Sequence, residues 1–501
     1  MKNQEIYQEE LYNYQFGNID KALQWIFLLL IGLLPLIIRA KVIEFAAPDF
    51  ISSIANTGLK ADVFNYYKWV FLAVLSAITL VLFLIKLTKG YKIKKSNINV
   101  PLLIFASLIL FSGLFAEYKS IAMKGMYNRY EGTMTYLYYL TIFFVAANTK
   151  YDKNFLNRIS LALGIVVVVN GLLGISHFFG LNEVSNTIAK TVVLPTDMAN
   201  AGSGEIWSTF SHPNYLSGFA AIATAYFLYL SGMSETNIDK LKYGLLTVLS
   251  FSLIISSLSS SGILTFIVVL PVILLLTAYL SREKVKSMLV IGSVLGSCLM
   301  VLILMNNFNN QVSDEIINIF KGIPLSAATI KNAEASEQAI EEITLEEFNL
   351  PQPGWSSGTG RTYIWGKTID LIMEKPFLGH GLDTLTYYFP QNDKYKVSNI
   401  WRYVTLVDKP HNIYLGIAFG SGVVGLMALL TIILSYLLKT LSSIKEKSCD
   451  IIYTPAIFLA IVAFLVQGLF NDSIIGLSII FWLLMGVGIS IFNNNKGNSI
   501  A

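Results

Sequence analysis

An all-α, polytopic integral membrane fold is what this chain predicts, on three observations. Hydrophobic residues fill 54% of its 501 positions and charged residues only 14%. The mean hydropathy is +0.59. Apolar runs near twenty residues, about the length a helix needs to cross the hydrocarbon layer, recur along the chain.

The hydrophobic runs give twelve transmembrane helices, at about 23–43, 66–86, 99–116, 133–147, 157–179, 213–232, 241–258, 262–280, 286–306, 411–438, 453–470 and 474–492. The chain therefore divides into an N-terminus (1–22), helices one to nine (23–306), a large loop (307–410), helices ten to twelve (411–492) and a tail (493–501). Residues 1–22 hold Lys2 and Lys21 against Glu5, Glu9, Glu10 and Asp20. That balance is wrong for the n-region of a signal peptide, so the first span is expected to be retained. The two termini together with 86–95, 148–158, 231–243, 281–287 and 439–448 carry 19 Lys and Arg, more than twice the number on the alternate short segments. Positive charge marks the inner side of a membrane. Both termini are thus expected in the cytoplasm, with the loop between helices nine and ten on the extracytoplasmic side of the cytoplasmic membrane.

Within that loop, residues 333–348 carry Glu334, Glu337, Glu341, Glu342, Glu346 and Glu347 and read as an acidic surface helix. Pro351-Gln352-Pro353-Gly354 and Ser356-Ser357-Gly358-Thr359-Gly360 make a breaker-rich linker. Next comes a helix from Arg361 to Met373, with Ile364, Trp365, Thr368, Ile369 and Ile372 on one side, suited to the membrane interface. Pro376 ends it, and Gly379-His380-Gly381 makes the next turn.

Charge and chemistry-bearing residues narrow the function. Cys298 and Cys449 fall in a span and a cytoplasmic segment, too far apart to pair. The four histidines, at 177, 212, 380 and 411, have no metal-ligand spacing, so neither a metal nor a cofactor is expected. A net charge of +4 spread over cytoplasmic segments reads as topology rather than as a nucleic-acid surface. The interiors of the spans hold essentially no Asp, Glu, Lys or Arg, which argues against an ion-coupled transporter. The ionisable groups gather instead at the outer rim: Arg39, Lys41, Lys124, Arg129, Glu131, His212, Arg361, His411 and Asp472. Arginine grips phosphate oxygens in pairs, so this rim suits an anionic lipid head group.

The densest stretch is Asp408-Lys409-Pro410-His411-Asn412. Asp408 is expected to cap the tenth span and Pro410 to sit in its first turn, so a helix begins within a residue or two of His411. The positive end of the helix dipole then favours the neutral imidazole, the form able to accept a proton. Gly422 and Gly425 lie three and four turns on, on a face where another helix can pack closely.

Four segments carry a family resemblance. His411-Asn412 with Gly422 and Gly425 fits a His-Asn, nine residues, Gly-x-x-Gly pattern. Arg361-Thr-Tyr-Ile-Trp365, running on to Pro376-Phe377-Leu378-Gly379-His380-Gly381, fits an Arg-x-x-x-Trp followed by Pro-hydrophobic-Gly-x-Gly. Thr209 to Leu216 matches a Thr-Phe-x-x-Pro-Asn-x-Leu segment, and Tyr130-Glu131-Gly132 a Tyr-Glu-Gly turn. Together they resemble the O-antigen ligase-related family of membrane glycosyltransferases, which includes O-antigen ligases, related polymerases and protein O-oligosaccharyltransferases. One departure stands out: many members have Ser-Arg-Gly where this chain reads Ser259-Ser260-Ser261-Gly262. Any phosphate contact made by that arginine must come from another residue or be dispensable.

The resemblance implies a GT-C-like fold and a metal-independent, inverting transfer of a glycan from a polyprenyl diphosphate donor to a hydroxyl on a glycan, lipid or protein acceptor. In that scheme His411 is the general base, and Arg361, with Arg129 second, stabilises the leaving diphosphate. Asn412, His212, Asn214 and Asp472 are further substrate-binding candidates, of which Asn214 and Asp472 are the weaker and fit better as helix caps or hairpin residues. His177 and His380 are expected to be structural. Membrane lipids are the other expected partners. A polysaccharide polymerase of the same fold is the near alternative, and a lipid-linked glycan exporter the alternative of another class.

Overall fold

The computed structural model describes residues 2–47, 57–152, 154–181, 183–188, 193, 206–321, 360–400 and 406–498. In chain order the elements are α1 (Lys2–Gly32), β1 (Lys41–Phe45), β2 (Gly58–Asp62), α2 (Tyr66–Thr88), α3 (Asn99–Phe115), α4 (Lys119–Lys124), α5 (Thr133–Ala147), α6 (Phe155–Phe178), α7 (Glu183–Ile188), α8 (Pro213–Met233), α9 (Asn237–Ser256), α10 (Ser260–Leu280), α11 (Lys284–Phe308), α12 (Gln311–Lys321), α13 (Arg361–Glu374), α14 (Leu385–Tyr388), α15 (Lys394–Ile400), α16 (Ile413–Lys445), α17 (Tyr453–Gln467) and α18 (Ile475–Asn498). A helix stands at every position where the hydrophobic runs place one. Among the described residues seven helices are long and apolar enough to cross a membrane, and four more are apolar but shorter. The molecule is a multi-pass, predominantly helical membrane protein.

α8 is the axis of the bundle. It packs against α9, α10, α11 and α17, and every residue from Tyr215 to Met233 is buried. A helix with no charged face fits such a position. Its neighbours come close: a Cβ on Gly262 of α10 would stand 1.9 Å from the Ser217 hydroxyl. The peripheral α2 and α11 instead show Val, Leu and Ile outward, as a lipid-facing helix does.

Several features depart from the sequence reading. The first span ends near Leu36, and β1 and β2 form an antiparallel hairpin pairing Lys41 with Asp62 and Phe45 with Gly58. Alternation over so short a stretch, next to an apolar run, carried no distinct signal. Arg39 and Lys41 lie over the rings of Tyr67 and Tyr66, 6.0 and 5.7 Å from their centroids, a cation–π arrangement. Two lysines within α2 are buried, each in an end turn. Lys68 Nζ donates to Thr209 O at 2.6 Å, and Lys86 at the other end pairs with Asp20 at 2.6 Å. Those partners offset much of the desolvation cost.

The acidic segment 333–348 and the linker 351–359 lie outside the described residues. The chain from Arg361 onward has its own small core: Tyr363, Ile364, Leu371 and Ile372 pack with Leu385, Phe389, Val407 and Phe419. The face of α13 read as suited to the membrane interface instead turns Ile364, Thr368 and Ile372 into this core against α16, and Ile369 faces outward.

Candidate active site

The cap of α16 is Asn412 rather than Asp408. Its Oδ1 accepts from the amides of Tyr414 and Leu415 at 2.9 and 3.0 Å, and its Nδ2 donates to Leu469 O at 3.1 Å. Asn412 thus spends its polar atoms on the helix start and the neighbouring hairpin. His411, one residue before the cap, has φ +53°. A left-handed conformation costs a side-chain-bearing residue about 1–2 kcal/mol, and it persists only where its surroundings hold it. Here Trp365 Nε1 donates to Pro410 O at 2.7 Å on one side, and the Asn412 cap holds the other.

This backbone carries the imidazole to Asp472, which lies in the hairpin between α17 and α18. His411 Nδ1 and Asp472 Oδ2 are 3.0 Å apart. Burial works against the Asp472 charge, but His411 foremost, then Lys409 and Arg129, outweigh it and hold the carboxyl down at about 2. An ionised carboxylate on Nδ1 orients the ring and leaves Nε2 as the nitrogen available to accept a proton.

Cations converge on the same end of the bundle. Arg361 opens α13 after Gly360, whose φ is +69°. Among the described residues its guanidinium has no hydrogen-bond or ion-pair partner; burial lowers its pKa and Asp472 opposes that. Lys409 donates to the Tyr215 hydroxyl at 2.8 Å and stays firmly charged: burial is outweighed by Tyr215, Asp408 and Asp472. His212 caps α8, its Nδ1 accepting from Asn214 N at 3.2 Å. Its surroundings and then Lys409, His411 and Arg361 push it down to about 4, so it is neutral at physiological pH. A cavity of about 230 Å³, large enough for several waters or a phosphate group, is lined by Ser211, His212, Tyr215, Asp408 and Lys409. A second of about 60 Å³ shares Asp408 and Lys409 and reaches Asn412 and Asp472.

Arg129, the second cation expected at the diphosphate, is engaged with two carboxylates. Its Nε and Nη2 lie 2.8 and 2.6 Å from Asp383 Oδ1, Nη1 binds the Asp408 carboxylate, and Nη2 donates to Asp408 O at 3.1 Å. Buried between two carboxylates, the guanidinium spends most of its donors on a clasp between loops, while it also lines both cavities. Asn214 is engaged as well. Its Oδ1 accepts from Ser259 at 2.9 Å, and its carbonyl accepts from Gln467 and Asn471 at 3.2 and 3.4 Å. The Ser259-Ser260-Ser261 turn thus ties α8, α10 and the last hairpin together with hydroxyls.

Gly422 has a different use from the one its spacing suggested. Its φ of +76° breaks α16, and the Pro376–Gly381 turn enters the break. His380 N and Gly381 N donate to Phe419 O and Gly420 O at 2.9 and 3.0 Å, and Val423 N donates to Pro376 O at 2.7 Å. A Cβ on Gly422 would meet Phe377 O at 2.3 Å. What packs closely there is a loop rather than another helix. His380 is buried, stacked on Phe419, with Nε2 2.8 Å from Leu371 O. Sequence reasoning overlooked Lys409 and Tyr215, although both stand inside quoted motifs; a lysine two residues before the histidine was the available signal.

Comparison with known proteins agrees with the motifs. Residues 245–430, which hold both Arg361 and His411, match the family model described as O-Antigen ligase. Over 103 residues, 21% of this chain, the sequence is 31% identical to a Rickettsia conorii protein named "Putative polysaccharide ligase". That match spans about a quarter of the relative's length, 24%. The resemblance first read from His411, Asn412, Gly422, Gly425 and the Arg361 segment agrees with that match: residues 245–430 of this membrane protein are similar to the O-antigen ligase family.

Proposed function

We propose that this protein is an O-antigen ligase-like glycosyltransferase that moves a glycan from a polyprenyl diphosphate in the outer leaflet to an acceptor hydroxyl, in the making of a cell-surface polysaccharide. The observation that carries the reading is His411 held 3.0 Å from a buried carboxylate, on the same rim as the Arg361 guanidinium, which has no partner among the described residues. In the proposed topology the chain crosses the cytoplasmic membrane twelve times, with both termini inside and residues 307–410 outside.

The acceptor oxygen attacks the anomeric carbon from the side opposite the diphosphate. The carbon–oxygen bond to the diphosphate breaks, and configuration inverts. The acceptor proton passes to His411 Nε2, a general-base role usually worth about 10²–10⁴-fold. The electron pair leaves on the diphosphate, whose growing charge meets Arg361 and Lys409. Fixed cations aimed at developing charge supply the stabilisation a metal ion would otherwise give. Asp472 keeps the imidazole in place throughout. An exporter would need a polar path along the bundle, whereas α8 fills its middle with buried side chains; that favours transfer.

The test is glycan transfer from a polyprenyl diphosphate donor in reconstituted membranes, with wild type, His411→Ala and Arg361→Ala at matched levels and with chelator. Activity that survives chelator and falls by ~10²-fold or more in both variants supports the reading. Full activity in both removes the site assignment.

A further inference from the structure

Besides the Asn412–Leu469 bond, residues from outside their own elements brace His411 and Asp472. They come from the loop joining α4 to α5, Gly125 to Gly132. Its two ends touch: a Cβ on Gly125 would lie 2.4 Å from Glu131 N, and one on Gly132 2.3 Å from Gly125 N, with Gly125 at φ +92°. Only glycine at both ends allows that closure. Between them Asn128 and Tyr130 are left-handed, at φ +69° and +57°. The conformation is held from several sides. Asn65 Nδ2 donates to Asn128 O at 2.6 Å, Met126 N donates to Asp383 Oδ2 at 2.6 Å, and Thr135 donates to Tyr130 O.

Two side chains leave this rigid loop in different directions. Arg129 binds the carboxylate and carbonyl of Asp408, three residues before His411. Glu131 is buried; its Oε2 accepts from Ser473 Oγ at 2.6 Å and its Oε1 from the Tyr139 hydroxyl at 2.7 Å. Ser473 directly follows Asp472. One closed loop therefore grips both arms of the pair, the segment entering α16 and the hairpin before α18.

We infer that Glu131 is a positioning residue that fixes the Asp472 hairpin against His411 through Ser473, with Arg129 doing the same for the Asp408–His411 segment. The inference rests on the proposed transfer chemistry at His411. Burial pushes the Glu131 carboxyl up to about 8, so the site does not depend on a full negative charge there, and glutamine can stand in for it.

The experiment compares kcat and KM for glycan transfer in wild type, Glu131→Gln, Glu131→Ala, Ser473→Ala and His411→Ala, all full-length and reconstituted. Misplacement of reacting groups by about 1 Å costs on the order of 10²-fold, so Glu131→Ala is expected to lower kcat ~10- to 100-fold with KM within about twofold. Ser473→Ala loses one of the two bonds and is expected to lower kcat ~10-fold. Glu131→Gln is expected to keep kcat within about threefold, because it retains a group that can bond both hydroxyls. Wild-type kcat in Ser473→Ala, or in a folded Glu131→Ala, overturns the inference. So does a loss in Glu131→Gln as large as in Glu131→Ala, since charge and not position would then be the property in use. If His411→Ala is itself fully active, the reading of the site fails instead.

Discussion

His411 and Asp472 face each other because one sits in a left-handed turn just outside a helix and the other in a two-helix hairpin. Neither conformation is visible from residue type alone. If the carboxylate orients the imidazole, Asp472→Asn should lower kcat by ~10²-fold or more, since an amide can hold the wrong tautomer. KM for the lipid donor should change little, and steady-state transfer kinetics would reveal a contrary split. His212 offers a pH-dependent check. In the folded protein it takes up a proton at about 4, against an ordinary value of 6.5. Between those values the unfolded chain binds more protons, so stability should fall as pH drops from about 6.5 towards about 4, then level off. Thermal unfolding in detergent across that range should show the decline. In His212→Asn, which keeps a capping oxygen, the decline should be shallower.

α16 illustrates how an element can be foreseen and its purpose missed. The hydrophobic run fixes that a helix exists from about 411; the kink at Gly422 depends on a loop more than forty residues upstream. Gly422→Ala forces a side chain into a left-handed position and against Phe377 O. It should destabilise by at least ~1–2 kcal/mol, lowering the unfolding midpoint. Gly416→Ala should not, because its Cβ would meet only Pro410 Cγ at 3.7 Å, and an unchanged midpoint in both would refute the account. Asn412→Ala removes the cap and should cost about 1 kcal/mol, again read from the midpoint. Arg129 shows the same for a side chain: as a cation at the rim it suggested phosphate binding, and only the fold reveals that Asp383 and Asp408, distant in sequence, take most of its donors.

The bundle as a whole follows from hydrophobic patterning, and its orientation in the proposal follows from the uneven distribution of Lys and Arg. With the native cysteines replaced, a cysteine at exposed Lys394 should react with a membrane-impermeant thiol reagent in intact cells, and one at exposed Lys447 only after permeabilisation. The opposite pattern would invert the topology and move the site to the cytoplasmic face.

Sequence alone was enough for the positions of the long apolar helices, the membrane class and the motifs that resemble the O-antigen ligase family, because the bilayer demands long apolar runs and because Gly, Pro and His at fixed spacing leave a local trace. It could not distinguish a free cation from a paired one. Arg361 and Arg129 look alike as rim arginines, yet one is unpaired among the described residues and the other is held by two carboxylates. Nor could it show that Asp408 binds Arg129 while Asn412 caps the helix, or that the Glu131 loop reaches the Asp472 hairpin. Those outcomes depend on which chain segments meet in the folded bundle, where a buried charge must take whatever partner the packing brings within reach.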